Sequence, residues 1–228
     1  MAKLNSRIKY LQIALNGNLD DAQRIIGQLP ASERIIIEAG TPLIKQFGID
    51  AAARLNYWWQ KKLIAAGINA PAYIVADMKT IDRGATEARM AAGAGASAAI
   101  AAGLAPIETL DSFIGECEIL GIDAMIDMMN VEYSLNILRQ LKKQPAVVVL
   151  HRGVDELTFN KEKQIPYHEI QRIKGNYNIM LAIAGADTPR ETQRSFFNGA
   201  DIAVVWKNFY AADSNTVAIA QEFLRQIK

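Results

Sequence analysis

"YIVADMKTIDRGATEA", Tyr73 to Ala88, opens as a buried strand and then sets three charges within six positions. Tyr73 to Asp77 is a continuous apolar run with no polar alternation, the signature of a strand covered on both faces. Asp77, Lys79 and Asp82 then read D-x-K-x-x-D. An acid, a base and an acid at a strand tip are expensive to desolvate unless they pair or do chemistry. Just downstream, "MAAGAGASAAIAAGLAP" is Ala/Gly-rich, broken by glycines and short of large aliphatics. It reads as a helix end, a tight turn and a small-residue strand rather than a membrane span.

The unit recurs. Runs of the same kind lie at "YLQIAL" (10–15), "RIIIEA" (34–39), "SAAIAAG" (97–103), "IDAMID" (122–127), "AVVVLH" (146–151), "IMLAIAG" (179–185) and "DIAVVW" (201–206). Between them, "IETLDSFIGECEILG" (107–121), "SLNILRQLKKQ" (134–144) and "NTVAIAQEFLRQIK" (215–228) carry helical spacing. Strand–helix alternation of this kind predicts an α/β fold, a single (β/α)8 TIM barrel spanning residues 1–228. A doubly wound sheet is the rival, but no G-x-G-x-x-G follows the first strand.

Composition narrows the functional classes. Half the residues are apolar, 21% are charged and the net charge is +1, with no basic tract that would suit nucleic acid. The single cysteine, Cys117, forbids an intrachain disulfide and, with no apolar segment in "MAKLNSRIKY", makes a cytoplasmic location the expectation. Two histidines, His151 and His168, are too few for a histidine-rich zinc site, so a metal here would be oxygen-ligated. His168 reads as a surface residue and Cys117 as packing.

Barrel enzymes carry their chemistry at the C-terminal strand ends. Those ends hold Asn16, Glu38, Asp77 with Lys79, Asp127, His151 with Arg152, Asp187, and Trp206 with Lys207. Asp77 and Lys79, two apart, would point the same way into the barrel mouth. An ammonium flanked by carboxylates stays protonated and can donate to a carbanion or enolate; it can equally be a salt-bridged strand cap. Glu38 could share an Mg2+ with Asp77, or pair with Lys79 without any metal. His151 could transfer protons, or simply bond a backbone carbonyl.

Together these residues resemble the orotidine 5'-monophosphate decarboxylase superfamily. "LQIALN", "IEAGTPLIK", "IVADMKTIDRGATEA", "LHRGVDE" and "IDMMNVE" are similar to its 3-hexulose-6-phosphate synthase branch, especially the archaeal members. The related 3-keto-L-gulonate-6-phosphate decarboxylases share much of the pattern. The resemblance implies a homodimer with active sites at the subunit interface, acting on a small molecule, a sugar phosphate. It implies Mg2+ on Glu38 and Asp77, stabilising a 1,2-enediolate that Lys79 binds and polarises. Asp82 would reach across from the partner subunit, and His151 would handle protons. The reaction would be aldol addition of formaldehyde to ribulose 5-phosphate, or its reverse.

Substrate contacts carried over in this way fall on Asn16, Arg152, Gly185, Asp187, Arg190 and Lys207. Several of these positions depart from the family pattern. Asn16 stands where the first strand usually ends in aspartate. Gly185-Ala186-Asp187 replaces a Gly-Gly that holds phosphate, and Trp206-Lys207 replaces the glycine after strand 8, leaving Arg190 and Lys207 to recruit the anion. Val154 stands where the decarboxylases have arginine. Two alternatives follow: a superfamily member acting on a different, non-phosphorylated substrate, or a non-catalytic ligand-binding paralogue.

Overall fold

The structure, a computed structural model, describes residues 3–160, 162, 164–211 and 215–227. In chain order the elements are β1 (Tyr10–Leu15), α1 (Leu19–Gln28), β2 (Ile35–Ala39), α2 (Thr41–Phe47), α3 (Asp50–Ala65), β3 (Ile74–Thr80), α4 (Gly84–Gly93) and β4 (Ala98–Ala102). There follow α5 (Ile107–Leu120), β5 (Asp123–Asp127), α6 (Ser134–Leu138), β6 (Val147–His151), α7 (Val154–Phe159) and α8 (Tyr167–Lys174). The chain finishes with β7 (Met180–Ala184), α9 (Pro189–Phe197), β8 (Ile202–Val205), a short 3-10 turn at Lys207–Phe209 and α10 (Thr216–Gln226). The strands pair in parallel from β1 through β8, and β8 closes on β1 with Tyr10 opposite Ile202. This is the (β/α)8 barrel that the repeated apolar runs predict.

A side-chain period of two divides each strand between two cores. Inward positions such as Ile36, Val75, Ile100, Met125, Val149, Ala182 and Val204 fill the barrel interior. The alternate positions, among them Leu11, Ile13 and Leu15, pack outward on helices through residues such as Ile25, Ile26 and Trp59. Because the inward parity continues, Glu38, Asp77, Asp127 and His151 follow Ile36, Val75, Met125 and Val149 two residues on. The same alternation that fills the core therefore delivers polar side chains to one mouth of the barrel.

Local rules end the helices. Asn18, Thr188 and Asn215 each accept a backbone N–H in the first turn of α1, α9 and α10. The helix predicted over 134–144 stops at Leu138. The Gln144 side-chain amide donates to the Leu138 carbonyl, satisfying an acceptor left free at the helix end. The helix predicted over 215–228 runs Thr216–Gln226, and its last predicted residue, Lys228, lies outside the described residues. Cys117 is buried in α5, and His168 lies on the surface in α8.

Strand β3 is irregular where the sequence alternation suggests a plain strand. Its register against β4 shifts between Ala76 and Thr80, and Lys79 adopts a φ of 48°. That left-handed conformation disfavours a long side chain and persists only where surrounding contacts hold it. Asp77 and Lys79 are thus brought together by a bulge, not by pleat alternation.

Helix α4 begins hard against α5. A methyl group on Gly84 would lie 2.3 Å from the Thr109 carbonyl oxygen and 2.8 Å from the Phe113 nitrogen. Both obstacles are backbone and cannot turn aside. Gly84→Ala is expected to destabilise the fold by about 1–3 kcal/mol through overpacking, read as a lower urea midpoint at unchanged slope; an unchanged midpoint would contradict this packing.

Candidate active site

At the C-terminal mouth of the barrel lies a cavity of about 480 Å3, lined in part by Glu38, Asp77, Lys79, His151, Asp187 and Trp206. Its floor is a chain of ionic contacts. The Lys79 ammonium lies 2.7 Å from Asp77 Oδ2 and 2.8 Å from Asp127 Oδ2. The same Asp127 oxygen lies 2.7 Å from His151 Nδ1. Asp127 Oδ1 accepts the Met129 backbone N–H at 2.9 Å, so both oxygens of this buried carboxylate are engaged. Three strands, β3, β5 and β6, meet at one side chain.

Electrostatics follow from that geometry. Burial opposes the charge on Lys79, but Asp77 and Asp127 outweigh it and raise the ammonium above its ordinary pKa. Burial likewise opposes ionisation of Asp127, yet His151 and Lys79 hold its carboxyl well below the usual range. Burial works against an imidazolium at His151, and the bond to Asp127 overcomes it, raising the histidine. A lysine held so firmly charged is a fixed cation and not a free amine for Schiff-base chemistry. With Nδ1 committed to Asp127, Nε2 is the ring nitrogen left for a ligand.

Glu38 stands beside this chain. Gln12 donates to its Oε2 at 2.5 Å. Burial, reinforced by the Asp77 charge, pushes the Glu38 carboxyl up to about 7, against the pull of Lys79, Gln12 and His151. Lys79 thus pairs with Asp77 and Asp127, while the hydrogen bond to Glu38 comes from Gln12. Among the described residues no group of three or more His, Cys, Asp or Glu side chains is arranged to hold a metal. Two hard carboxylates, Glu38 and Asp77, nevertheless line the cavity, and the buried Gln12 Oε1 has no partner among the described residues. That donor set fits Mg2+, which binds through one or two carboxylates and keeps several waters.

The other predicted residues divide between the cavity and its surroundings. Arg152 reaches the cavity wall, but its Nη2 donates to the Gly185 carbonyl at 2.5 Å and to Glu191 at 2.9 Å. Gly185 has a φ of 86°, and a methyl there would lie 2.6 Å from the Arg152 carbonyl oxygen, so only glycine fits. Asn16, Asp187 and Lys207 also line the cavity. Asp82 and Arg190 do not; Asp82 is exposed on the loop after β3 and Arg190 in the first turn of α9, both outside it. Asp127 and Gln12 were the residues that sequence reasoning left without a role. A lone glutamine inside "YLQIAL" was a signal, since a polar residue at an inward core position needs a buried partner.

Known proteins share this frame. The bifunctional enzyme Fae/Hps of Methanocella arvoryzae is 36% identical over 223 residues, covering 96% of this chain and 53% of that one. That of Methanosarcina barkeri is 37% identical over 220 residues, covering 96% and 52%. The chain spans about half the length of the curated relatives it matches. The crystal structure of 3-hexulose-6-phosphate synthase from Salmonella typhimurium superposes with a TM-score of 0.78 at 23% identity, covering 95% of this chain and 99% of that one. The profile described as "Orotidine 5'-phosphate decarboxylase / HUMPS family" matches residues 9–223, from the start of β1 into the last helix. Closed barrel, charged strand ends and chain-long match agree: the protein belongs to the orotidine 5'-phosphate decarboxylase / HUMPS family.

Proposed function

We propose that the protein forms or cleaves a carbon–carbon bond at a ketose through an enediolate, as a Mg2+-dependent lyase of the 3-hexulose-6-phosphate synthase type. The reaction is aldol addition of formaldehyde to a ketopentose, or the reverse. One observation carries the reading: Lys79, held as an ammonium between Asp77 and Asp127, faces a cavity that also receives His151 from the same carboxylate. The names of the relatives support this choice within the family.

In the addition, C1 of the ketose loses a proton, its carbon attacks the aldehyde carbon, and the new alkoxide takes a proton. His151 suits both proton steps, because Nε2 is open and Asp127 stabilises the imidazolium. Lys79 places a permanent positive charge where the enediolate oxygens develop theirs. Glu38 and Asp77 would hold the metal, which supplies further positive charge for the enediolate. Asp82 is exposed and makes no ion pair within the chain among the described residues, consistent with a place in the partner's site of a homodimer.

Turnover is expected to require a divalent cation and to fall at least about 100-fold in Lys79→Met and in Asp82→Asn. Mixing the two inactive variants should restore part of the activity, since a mixed dimer rebuilds one intact site. Metal-independent turnover would sink the lyase reading, and failure to complement would sink the shared site.

Metal binding also has a readout in stability. Glu38 is raised from 4.5 to about 7 on folding, so its neutral form is the favoured one. Its contribution is intact below about pH 4.5 and is lost as pH rises through 7, on the order of 3 kcal/mol. Without metal, Glu38→Gln should match wild type at pH 5 and exceed it in urea resistance at pH 8. Added Mg2+ should restabilise wild type at pH 8 and leave Glu38→Gln unchanged. Equal pH dependence of the two proteins, or equal response to Mg2+, would count against a Glu38 metal ligand.

A further inference from the structure

The reactive floor of the cavity is only half of it. The far wall, after β7 and β8, decides what the other end of the substrate can be, and it is built from groups that accept hydrogen bonds. Backbone N–H groups at strand ends and helix N-termini are the usual anion holders in such barrels. Here several around the mouth are engaged by the protein itself. The Tyr210 hydroxyl accepts from the Asn16 and Gly17 nitrogens at 2.8 and 3.1 Å. The Trp206 backbone N–H is bonded to the Asp187 carboxylate. At the start of α9, the Thr188 hydroxyl accepts from the Glu191 nitrogen, and the Glu191 carboxylate neutralises Arg152.

Facing a ligand on this wall are an aromatic plate, an acid and the Lys207 ammonium. Trp206 lines the cavity and stands edge-on to Tyr210, with ring centroids 6.1 Å apart. Asp187 lines it too, and its Oδ1 is buried without a hydrogen-bond partner among the described residues. Burial raises the Asp187 carboxyl, opposed by the Trp206 N–H and the nearby Lys207 charge. Such a wall disfavours ions of either sign. A phosphate dianion would be repelled by Asp187, whose charge offsets that of Lys207 on the same wall. An ammonium would meet Lys207, whose Nζ lies 6.0 Å from the Trp206 ring centroid. A neutral hydroxylated end meets neither obstacle: its hydroxyls donate to the carboxylate and its C–H face lies on the indole.

We infer that Asp187 and Trp206 form a specificity wall for an uncharged polyol terminus, so that the substrate is a ketose without a terminal phosphate. This rests on the enediolate reading of the floor and adds the class of substrate. It makes Asp187 a substrate-binding residue that accepts a terminal hydroxyl.

The test is calorimetric titration of the Mg2+-loaded protein with the D and L forms of ribulose and xylulose, each with and without a 5-phosphate. At least one free ketose is expected to bind tighter than every phosphorylated one by about tenfold or more, the worth of one good hydrogen bond to a charged group. Asp187→Asn keeps an acceptor for the Trp206 N–H and removes the charge, and should tighten binding of the phosphate esters by about tenfold. Tighter binding of any phosphate ester by wild type, binding of none of the free ketoses, or no change in Asp187→Asn would each overturn the inference. Exchange of the C1 proton with deuterated solvent, followed by NMR on the same samples, reports separately on the floor. Free-ketose binding without exchange would sink the enediolate reading and leave the specificity wall standing.

Discussion

Asp127 Oδ2 serves two cations at once, Lys79 from β3 and His151 from β6, and the rest of the site depends on that shared oxygen. A carboxylate this deeply buried is tolerable only because it is fully paired; removing one partner of such a pair typically costs about 3–5 kcal/mol. The pairing fixes the imidazole orientation and keeps the ammonium charged. It also holds Lys79 in a backbone conformation that its side chain would not choose. The strain in β3, the direction of His151 and the charge of the cavity floor are therefore one arrangement.

The fold was legible because barrel strands are buried on both faces. "AVVVLH" and "IMLAIAG" contain no alternation to confuse with an exposed strand, and polar residues gather only where these runs stop. The inward parity that places Ile36 in the core also places Glu38 at the mouth, so Glu38, Asp77 and His151 could be read from position alone.

What the sequence hid was three-dimensional pairing. Asp127 was visible as a strand end, but nothing local says that it, rather than Asp82, bridges Lys79 and His151. Asp82 is close to Lys79 in sequence and lies on an exposed loop outside the cavity, because the chain leaves the barrel mouth after the β3 bulge. Arg190 falls outside for a similar reason: it occupies the exposed first turn of α9, whereas the neighbouring Glu191 turns toward Arg152. The two halves of the cavity also carry different kinds of information. The floor gathers the charged strand ends Asp77, Lys79 and His151, while the far wall presents Asp187 and Trp206. A shared fold and a shared reaction type leave the substrate to be set by such walls.

The central claim is that Lys79 is a permanently charged member of a closed ionic chain. The most direct measurement is the nitrogen-15 resonance of the Lys79 side chain, assigned by comparison with Lys79→Met and followed through a pH titration. The account predicts an ammonium that persists beyond about pH 11, above the ordinary lysine value of 10.5, and that titrates lower once Asp127→Asn removes one of its two acids. A Lys79 that deprotonates at or below 10.5 in the wild-type protein, or one indifferent to Asp127→Asn, would contradict the account.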